Sequence, residues 1–433
     1  MEPPRLTHRP YQATPAYGKP ASNENGQPRQ LDHEYNRASG FHYPPIDLST
    51  RQIRLVRVLP SALGSPIRCE FVMSSIDSTN YPYTALSYTW DDATSEYGIV
   101  KIILDGQDFW VRKNLWYFLH HTRLKSTASH TQYWIDAICI NQTPSEEEDM
   151  NEKNHQVQLM GEIYSGAHMV VAWLGEPPER MIPSLERISR RGVDMKCLLD
   201  IKDPSSDFTD VSTRTAYLDL ISRPYFTRVW VVQEIILARK IVFKYGSSSF
   251  NSIQVSNGLT QMKHLWDNYA YPHGLRIDRA IMEFLGLKSS NPLDKIYGLL
   301  GLLDADDIVP DYAKSRVDLY RDVLKACIRG IWRDWASRAD ELSMVVYVGY
   351  VRFCLLELLE LDDNAVVHAD SSVKEEMGID WTAIPPDLFA EELGDHVIDI
   401  NRAERRHFRS GTRGMAPLCI FVLAGRYRSS CTV

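Results

Sequence analysis

Apolar positions along the chain follow two periods, and the switches between them predict the order of elements. IRLVRVLP (53–60) alternates apolar and polar residues as a half-buried strand does. YTALSYTW (83–90), β-branched and aromatic, predicts a second strand. In KIILDGQDFWV (101–111) two short strand-forming runs flank Asp105-Gly106, a strong hairpin signal. Asn114 is placed to cap a helix running through Leu115, Phe118, Leu119 and Leu124. QYWIDAICI (132–140) predicts a strand with polar residues crowding its end. The acidic run SEEEDMNE (145–152) opens a solvated helix in which Ser145 and Glu148 have capping-box spacing. Val157, Met160, Tyr164 and Ala167 continue it on one face, and HMVVAWLG (168–175) predicts a further buried strand.

Strands this apolar, alternating with helices, predict an α/β fold: an open, mainly parallel sheet flanked by helices. A polar linker (about 176–212) separates this part from a mainly helical C-terminal extension. There, AYLDLISRPYFTRVWVVQEIILARK (216–240) is a proline-broken helix and KIVFKYGSSSF (240–250) a strand with a Gly-Ser turn. Asn291 and Pro292 start a helix with Asp294 in its first turn; residues 317–332 and 345–361 predict two more. The expected division is a disordered segment at 1–48, an α/β domain at 49–250, a helical extension at 251–340 and a weakly patterned region at 341–433.

Composition narrows the function classes. At 44% hydrophobic and 24% charged the chain is ordinary globular material, and a net charge of −8 disfavours nucleic acid as a partner. Seven scattered cysteines without a CxxC pair suit reduced thiols and a cytoplasmic location. No signal-peptide core and no membrane span are expected; the most apolar run, 345–361, is broken by Arg352, Glu357 and Glu360.

Phosphate-loop, dinucleotide, zinc-protease and serine-hydrolase motifs are absent. No metal site is expected, since adjacent His120 and His121 point in different directions on a helix. Cys139 admits a nucleophile reading beside that of a small core residue. In open α/β sheets the crevice lies beyond the carboxyl ends of the strands. That places Tyr88 and Trp90 at the end of one strand and Asp136, Asn141 and Gln142 at the end of another, as candidate ligand-binding residues. The competing reading makes Asn141 and Gln142 a turn before the next helix. Glu234, in RVWVVQEIIL (228–237), is a carboxylate among branched apolar residues. It is either a buried or edge ion pair or a catalytic acid/base in the cleft. On a continuous helix Arg228, six residues earlier, is off its face, which leaves Lys240 or an arginine from elsewhere as its partner.

In order, YTALSYTW, the hairpin with NLWYFLHHTRL, YWIDAICINQ, HQVQLMGEIYSGAHMVVAWLGE, RPYFTRVWVVQE and NPLDKIYGLLGLLDADDIVPDY resemble the motifs of the fungal heterokaryon-incompatibility (HET) domain. The resemblance spans about 50 to 330. It implies a cytoplasmic effector of fungal non-self recognition that triggers programmed cell death through a protein partner or self-association. It also implies a likeness to TIR domains, whose flavodoxin-like cores act as signalling scaffolds or cleave NAD. In that enzymatic alternative NAD is a substrate and there is no resident cofactor. Trp90 stacks on a ring, Asn141 and Gln142 hydrogen-bond to it, and Glu234 stabilises a positively charged ribosyl transition state. A third reading is an accessory protein of a fungal metabolite cluster. The chain departs from the family at Asp91-Asp92, where glycine is usual, and at Leu293, where arginine is. RRHFRSGTRGMAP (405–417) and LCIFVLAGRY (418–427) resemble compressed pieces of the family's C-terminal region, which leads to the expectation of a truncated C-terminus.

Overall fold

The computed structural model describes residues 30–381 except 79–81, 92–93, 125–130, 143–146, 192–210, 256–257, 270–273, 305–306 and 336–340. The capping box at Ser145 and the resembling segments beyond 405 lie outside the described residues. Among the described residues nine strands form one sheet: β1 (Gln52–Leu59), β2 (Arg68–Ser75), β3 (Tyr83–Tyr88), β4 (Ile99–Leu104), β5 (Gln107–Arg112), β6 (Gln132–Trp134), β7 (Met169–Trp173), β8 (Ile241–Tyr245) and β9 (Ser248–Phe250). Their order is β5-β4-β2-β1-β6-β3-β7-β8-β9.

The sheet is mixed rather than mainly parallel. β6-β3-β7-β8 is a parallel block, but β1 runs antiparallel to both β2 and β6, and the edges close with antiparallel β4/β5 and β8/β9 pairs. Short connections impose the β1/β2, β4/β5 and β8/β9 pairings, because a tight turn joins only antiparallel neighbours. At the β4/β5 turn Asp105 (φ 47°) and Gly106 (φ 77°) both take the left-handed backbone that a two-residue hairpin needs. β3 sits in the middle and all six of its side chains are buried, as a strand covered on both faces requires.

Three further expectations change. The strand expected over 132–140 ends at Trp134, and Asp136–Cys139 form a helical turn. The Asp136 carboxylate accepts from the Ala137 backbone N–H at 2.7 Å, a local bond that competes with the strand ladder. Asn114 does not cap its helix; it lies inside the first turn of α2 (Lys113–Arg123). Its amide donates to the Thr89 carbonyl at 2.8 Å while its Oδ1 accepts from Trp173 Nε1 at 2.8 Å, tying the ends of β3 and β7 together. The polar linker contains a helix at Ile182–Arg191, where Leu185 and Ile188, three apart, are both buried.

Part of the segment expected to be disordered is also helical. α1 (Leu31–Ala38) lies on edge strand β5, where Asn36 donates to the Trp110 carbonyl at 3.0 Å and accepts from the Trp110 N–H at 2.7 Å. One side-chain amide thus supplies ladder bonds that an edge strand lacks. The long helix Glu147–Gly166 buries Val157, Met160 and Tyr164 as its spacing requires, and Ala167 just beyond its end is buried too. Gly161 lets it meet Gly301 so closely that a Cβ on Gly161 would stand 2.7 Å from the Gly301 Cα. One apolar cluster runs from the sheet through Arg316–Trp335, Glu341–Leu359 and Asp363–Met377 to Trp381. No helix among the described residues is long and apolar enough to cross a membrane.

Candidate active site at the strand ends

Within the parallel block the strands stand in chain order second, first, third, fourth, so the order reverses between β3 and β7. Doubly wound sheets open a crevice at such a switch point, beyond the carboxyl ends of the strands. Here those ends deliver Ser87, Tyr88 and Trp90 from β3 and Asp136 from beyond β6. The connection from β7 to β8 brings in Tyr225, Arg228 and Glu234.

The inner layer is a buried proton network. Glu234 is 3% exposed and its carboxylate accepts a hydrogen bond from Ser87 Oγ. Ser87 Oγ lies 2.5 Å from the Tyr225 hydroxyl. Serine has one hydroxyl proton, which goes to Glu234, so Tyr225 is the donor to Ser87. Tyr164 donates to the Leu86 carbonyl at 3.1 Å and lies close enough to Glu234 to lower its carboxyl slightly. Burial lifts the Glu234 carboxyl from 4.5 to about 7, against the opposing pull of the Arg228 charge and the Ser87 hydrogen bond.

Arg228 is the cation facing Glu234, which overturns the expectation that it lies off that face. Pro224–Thr227 form a 3₁₀ turn, Arg228 itself is extended (φ −86°, ψ 138°), and the helix begins only at Val231. Six-residue helical spacing therefore does not apply. Its guanidinium donates to the Tyr88 carbonyl, and its charge is felt at Asp136 and Asp294 as well.

An outer layer surrounds this network. Trp90 Nε1 donates to Asp136 at 3.0 Å, and the Arg112 guanidinium stands 4.6 Å from the Trp90 ring centre. The Lys153 ammonium lies 4.4 Å over the Tyr312 ring, and Tyr312 donates to Asp294 at 2.8 Å. Burial raises the Asp136 and Asp294 carboxyls; Arg228 opposes it first at Asp136, and the Tyr312 hydrogen bond first at Asp294. Three cations, Arg112, Lys153 and Arg228, thus ring a floor of carboxylates and aromatic faces. Guanidinium and ammonium groups suit phosphate oxygens, and an aromatic face suits a base or nicotinamide ring.

Of the residues singled out in the sequence, Glu234, Tyr88, Trp90 and Asp136 share this region. Tyr88 is buried, and its carbonyl accepts from Arg228. Gln142 donates to the Asp136 carbonyl at 3.1 Å, closing the turn it follows. The Asn141 backbone N–H donates to Glu152 at 3.1 Å, which anchors it to the buried Arg54–Glu152 ion pair. Cys139 is fully buried, its thiol is pushed up to about 12 by burial, and its sulfur accepts from the Ile135 N–H at 3.3 Å. It is a core residue, and the nucleophile reading falls. Among the described residues no group of three or more His, Cys, Asp or Glu can hold a metal ion.

Sequence reasoning missed Ser87, Tyr164, Tyr225, Arg112, Lys153 and Asp294 as a set. Ser87 carried a signal, being a hydroxyl in a strand buried on both faces; the others are scattered between positions 112 and 294 and only the fold joins them.

Residues 83–234 match the family described as heterokaryon incompatibility protein (HET). The match starts at the first residue of β3 and ends at Glu234, so it brackets the inner network. Heterokaryon incompatibility protein 6, OR allele, of Neurospora crassa is 27% identical over 384 residues, covering 70% of this chain and 56% of the relative. The chain therefore spans little more than half the length of the curated relative it matches. No solved structure matches the chain.

Proposed function

Since residues 83–234 match the HET family, we propose that the protein acts in fungal heterokaryon incompatibility as an effector that triggers programmed cell death. The observation that carries this reading is the family match itself, which encloses Ser87, Tyr164, Tyr225, Arg228 and Glu234. The similarity to an incompatibility protein of Neurospora crassa supports it. In this reading the protein works in the cytoplasm and signals by self-association or through a protein partner.

A second reading is favoured by the site: a TIR-like hydrolase that cleaves NAD. The β6-β3-β7-β8 order is that of a flavodoxin-like core, which supports the TIR-like part. Hydrolysis breaks the bond between the nicotinamide nitrogen and the ribose, and the electron pair leaves with nicotinamide. Water supplies the new carbon–oxygen bond and releases one proton. As a carboxylate, Glu234 stabilises the cationic ribosyl centre; with its carboxyl near 7, it also takes up the proton. Tyr225 and Ser87 hold it in place, and Arg112, Lys153 and Arg228 neutralise the phosphates.

Cellular NAD followed in time after induced expression in a fungal host, beside viability, tests both. Death preceded by loss of NAD, abolished by Glu234→Ala, supports the hydrolase. Death with NAD intact supports an effector acting by assembly and removes NAD as substrate. Growth unaffected by expression overturns the effector reading.

A further inference from the structure

Helix α1 covers the outer layer of the candidate site, and its contacts there are those a ligand would make. All three guanidinium nitrogens of Arg112 are engaged, two of them by α1 and the residue before it. Nε donates to Asp32 at 2.8 Å and one Nη to the Gln30 side chain, while the other Nη reaches the Asp91 carbonyl at 2.9 Å. His33 sets its ring edge-on to Trp90 at 6.2 Å, and burial, opposed first by Asp32, lowers it to about 4, so it sits there neutral. α1 therefore lies against both the cation and the aromatic face that the outer layer offers.

The same helix is weakly fastened. Leu31 packs in a small apolar cluster with Ile99, Tyr35 and Trp110, separate from the main core. Asn36 holds the β5 edge, and Tyr35 donates to Glu96 at an exposed position at 2.9 Å. Asp32 is buried, yet its Oδ1 has no hydrogen-bond partner among the described residues. A buried carboxylate with one idle oxygen is incompletely compensated for its lost hydration. So α1 docks on Arg112 through a single carboxylate bond, where a phosphate binding through two oxygens would engage more of the guanidinium fork.

We propose that α1 is a removable cover in which the Asp32 carboxylate occupies, on Arg112, the place of a phosphate group of a bound nucleotide. Helix and nucleotide then compete for Arg112 and the Trp90 face, and the site opens only when α1 leaves. The proposal rests on the nucleotide-binding reading above.

Calorimetry with ADP on the full chain tests it, using Asp32→Ala, Asn36→Ala and Arg112→Ala, with folding checked by circular dichroism. Asn36→Ala loosens α1 without altering charge, so it separates uncovering from the loss of a repelling carboxylate. The expected result is binding tightened at least about fivefold in both α1 variants, the low end of coupling between linked sites, and binding lost in Arg112→Ala. Hydrogen exchange over 31–38 should speed up when ADP is added. If ADP binds wild type and both α1 variants alike and 31–38 keeps its protection, the cover is overturned while the nucleotide site stands. Tightening in Asp32→Ala alone reduces the effect to charge and overturns the cover too. If ADP binds none of the proteins, both readings fail.

Discussion

Glu234→Gln exchanges a titrating carboxyl for a neutral amide of nearly the same shape that still accepts the Ser87 hydrogen bond. The wild-type group is raised from 4.5 to about 7 in the fold, chiefly by burial. The folded chain thus holds its proton where the unfolded chain has already released it. Between pH 4.5 and about 7 the unfolded state binds fewer protons, so this group makes the fold less stable as pH rises, and the penalty is complete above pH 7. At about 1.4 kcal/mol per pH unit the full penalty is roughly 3 kcal/mol. Glutamine escapes it. The variant should match wild type within about 1 kcal/mol near pH 5, the worth of a typical hydrogen-bond adjustment. At pH 8 it should be more stable by roughly 3 kcal/mol. Urea unfolding of both proteins at pH 5, 6, 7 and 8 gives the comparison. Taking the difference between them cancels the titrations of His33 and Asp294; Asp136, whose charge acts on Glu234, is the coupled carboxyl and adds to the difference. A difference that stays flat with pH, or one that favours wild type as pH rises, would show that Arg228 outweighs burial and would refute the reasoning.

Three other outcomes follow from the packing. Arg54 is 1% exposed and pairs with Glu152 through two bonds of 2.7 and 2.8 Å, so Arg54→Met alone strands a buried carboxylate. It should cost roughly 3–5 kcal/mol in urea unfolding, and adding Glu152→Met should recover much of it; equal loss in single and double variants would contradict this. Gly161→Ala pushes a methyl group against the Gly301 backbone and should lower stability by about 1–3 kcal/mol, read as a fall in Tm. Cys139 should resist iodoacetamide at pH 7.5 in the folded protein and react once urea unfolds it, because its thiol is fully buried and pushed up to about 12. Labelling of native Cys139 would mean that the turn 136–139 opens.

Local signals were enough for several elements. β-branched and aromatic residues marked β3, Asp105-Gly106 the β4/β5 hairpin, a near-continuous apolar run β7, and three- and four-residue spacing the apolar face of Glu147–Gly166. The end of the 132–140 strand was not legible that way. Its apolar residues continue to Ile140, and the turn shows only in the structure, in the Asp136 bond to the Ala137 N–H and the Cys139 N–H bond to the Ile135 carbonyl. α1 was hidden for a different reason: it is too polar to signal a buried element, and its order comes from Arg112 and the β5 edge, 70 to 80 residues away. The resemblance of motif order pointed to the family from the sequence, since it depends on residue identity and succession.

Trp90, Tyr88 and Asp136 could be picked out singly as polar or aromatic residues toward the ends of apolar strands, and Glu234 as a carboxylate among branched apolar residues. Their partners could not. Arg228 was assigned to the wrong face because the sequence does not show that the helix starts after it. Ser87, Tyr164, Tyr225 and Glu234 come from four elements spread over nearly 150 residues, and a hydrogen-bonded network is a statement about distances. Local sequence determined which segments are strands and helices and which residues carry chemistry. Only the tertiary structure decided which of them meet, because parallel neighbours are joined by long crossovers and the register of those strands is set by burial of the whole sheet.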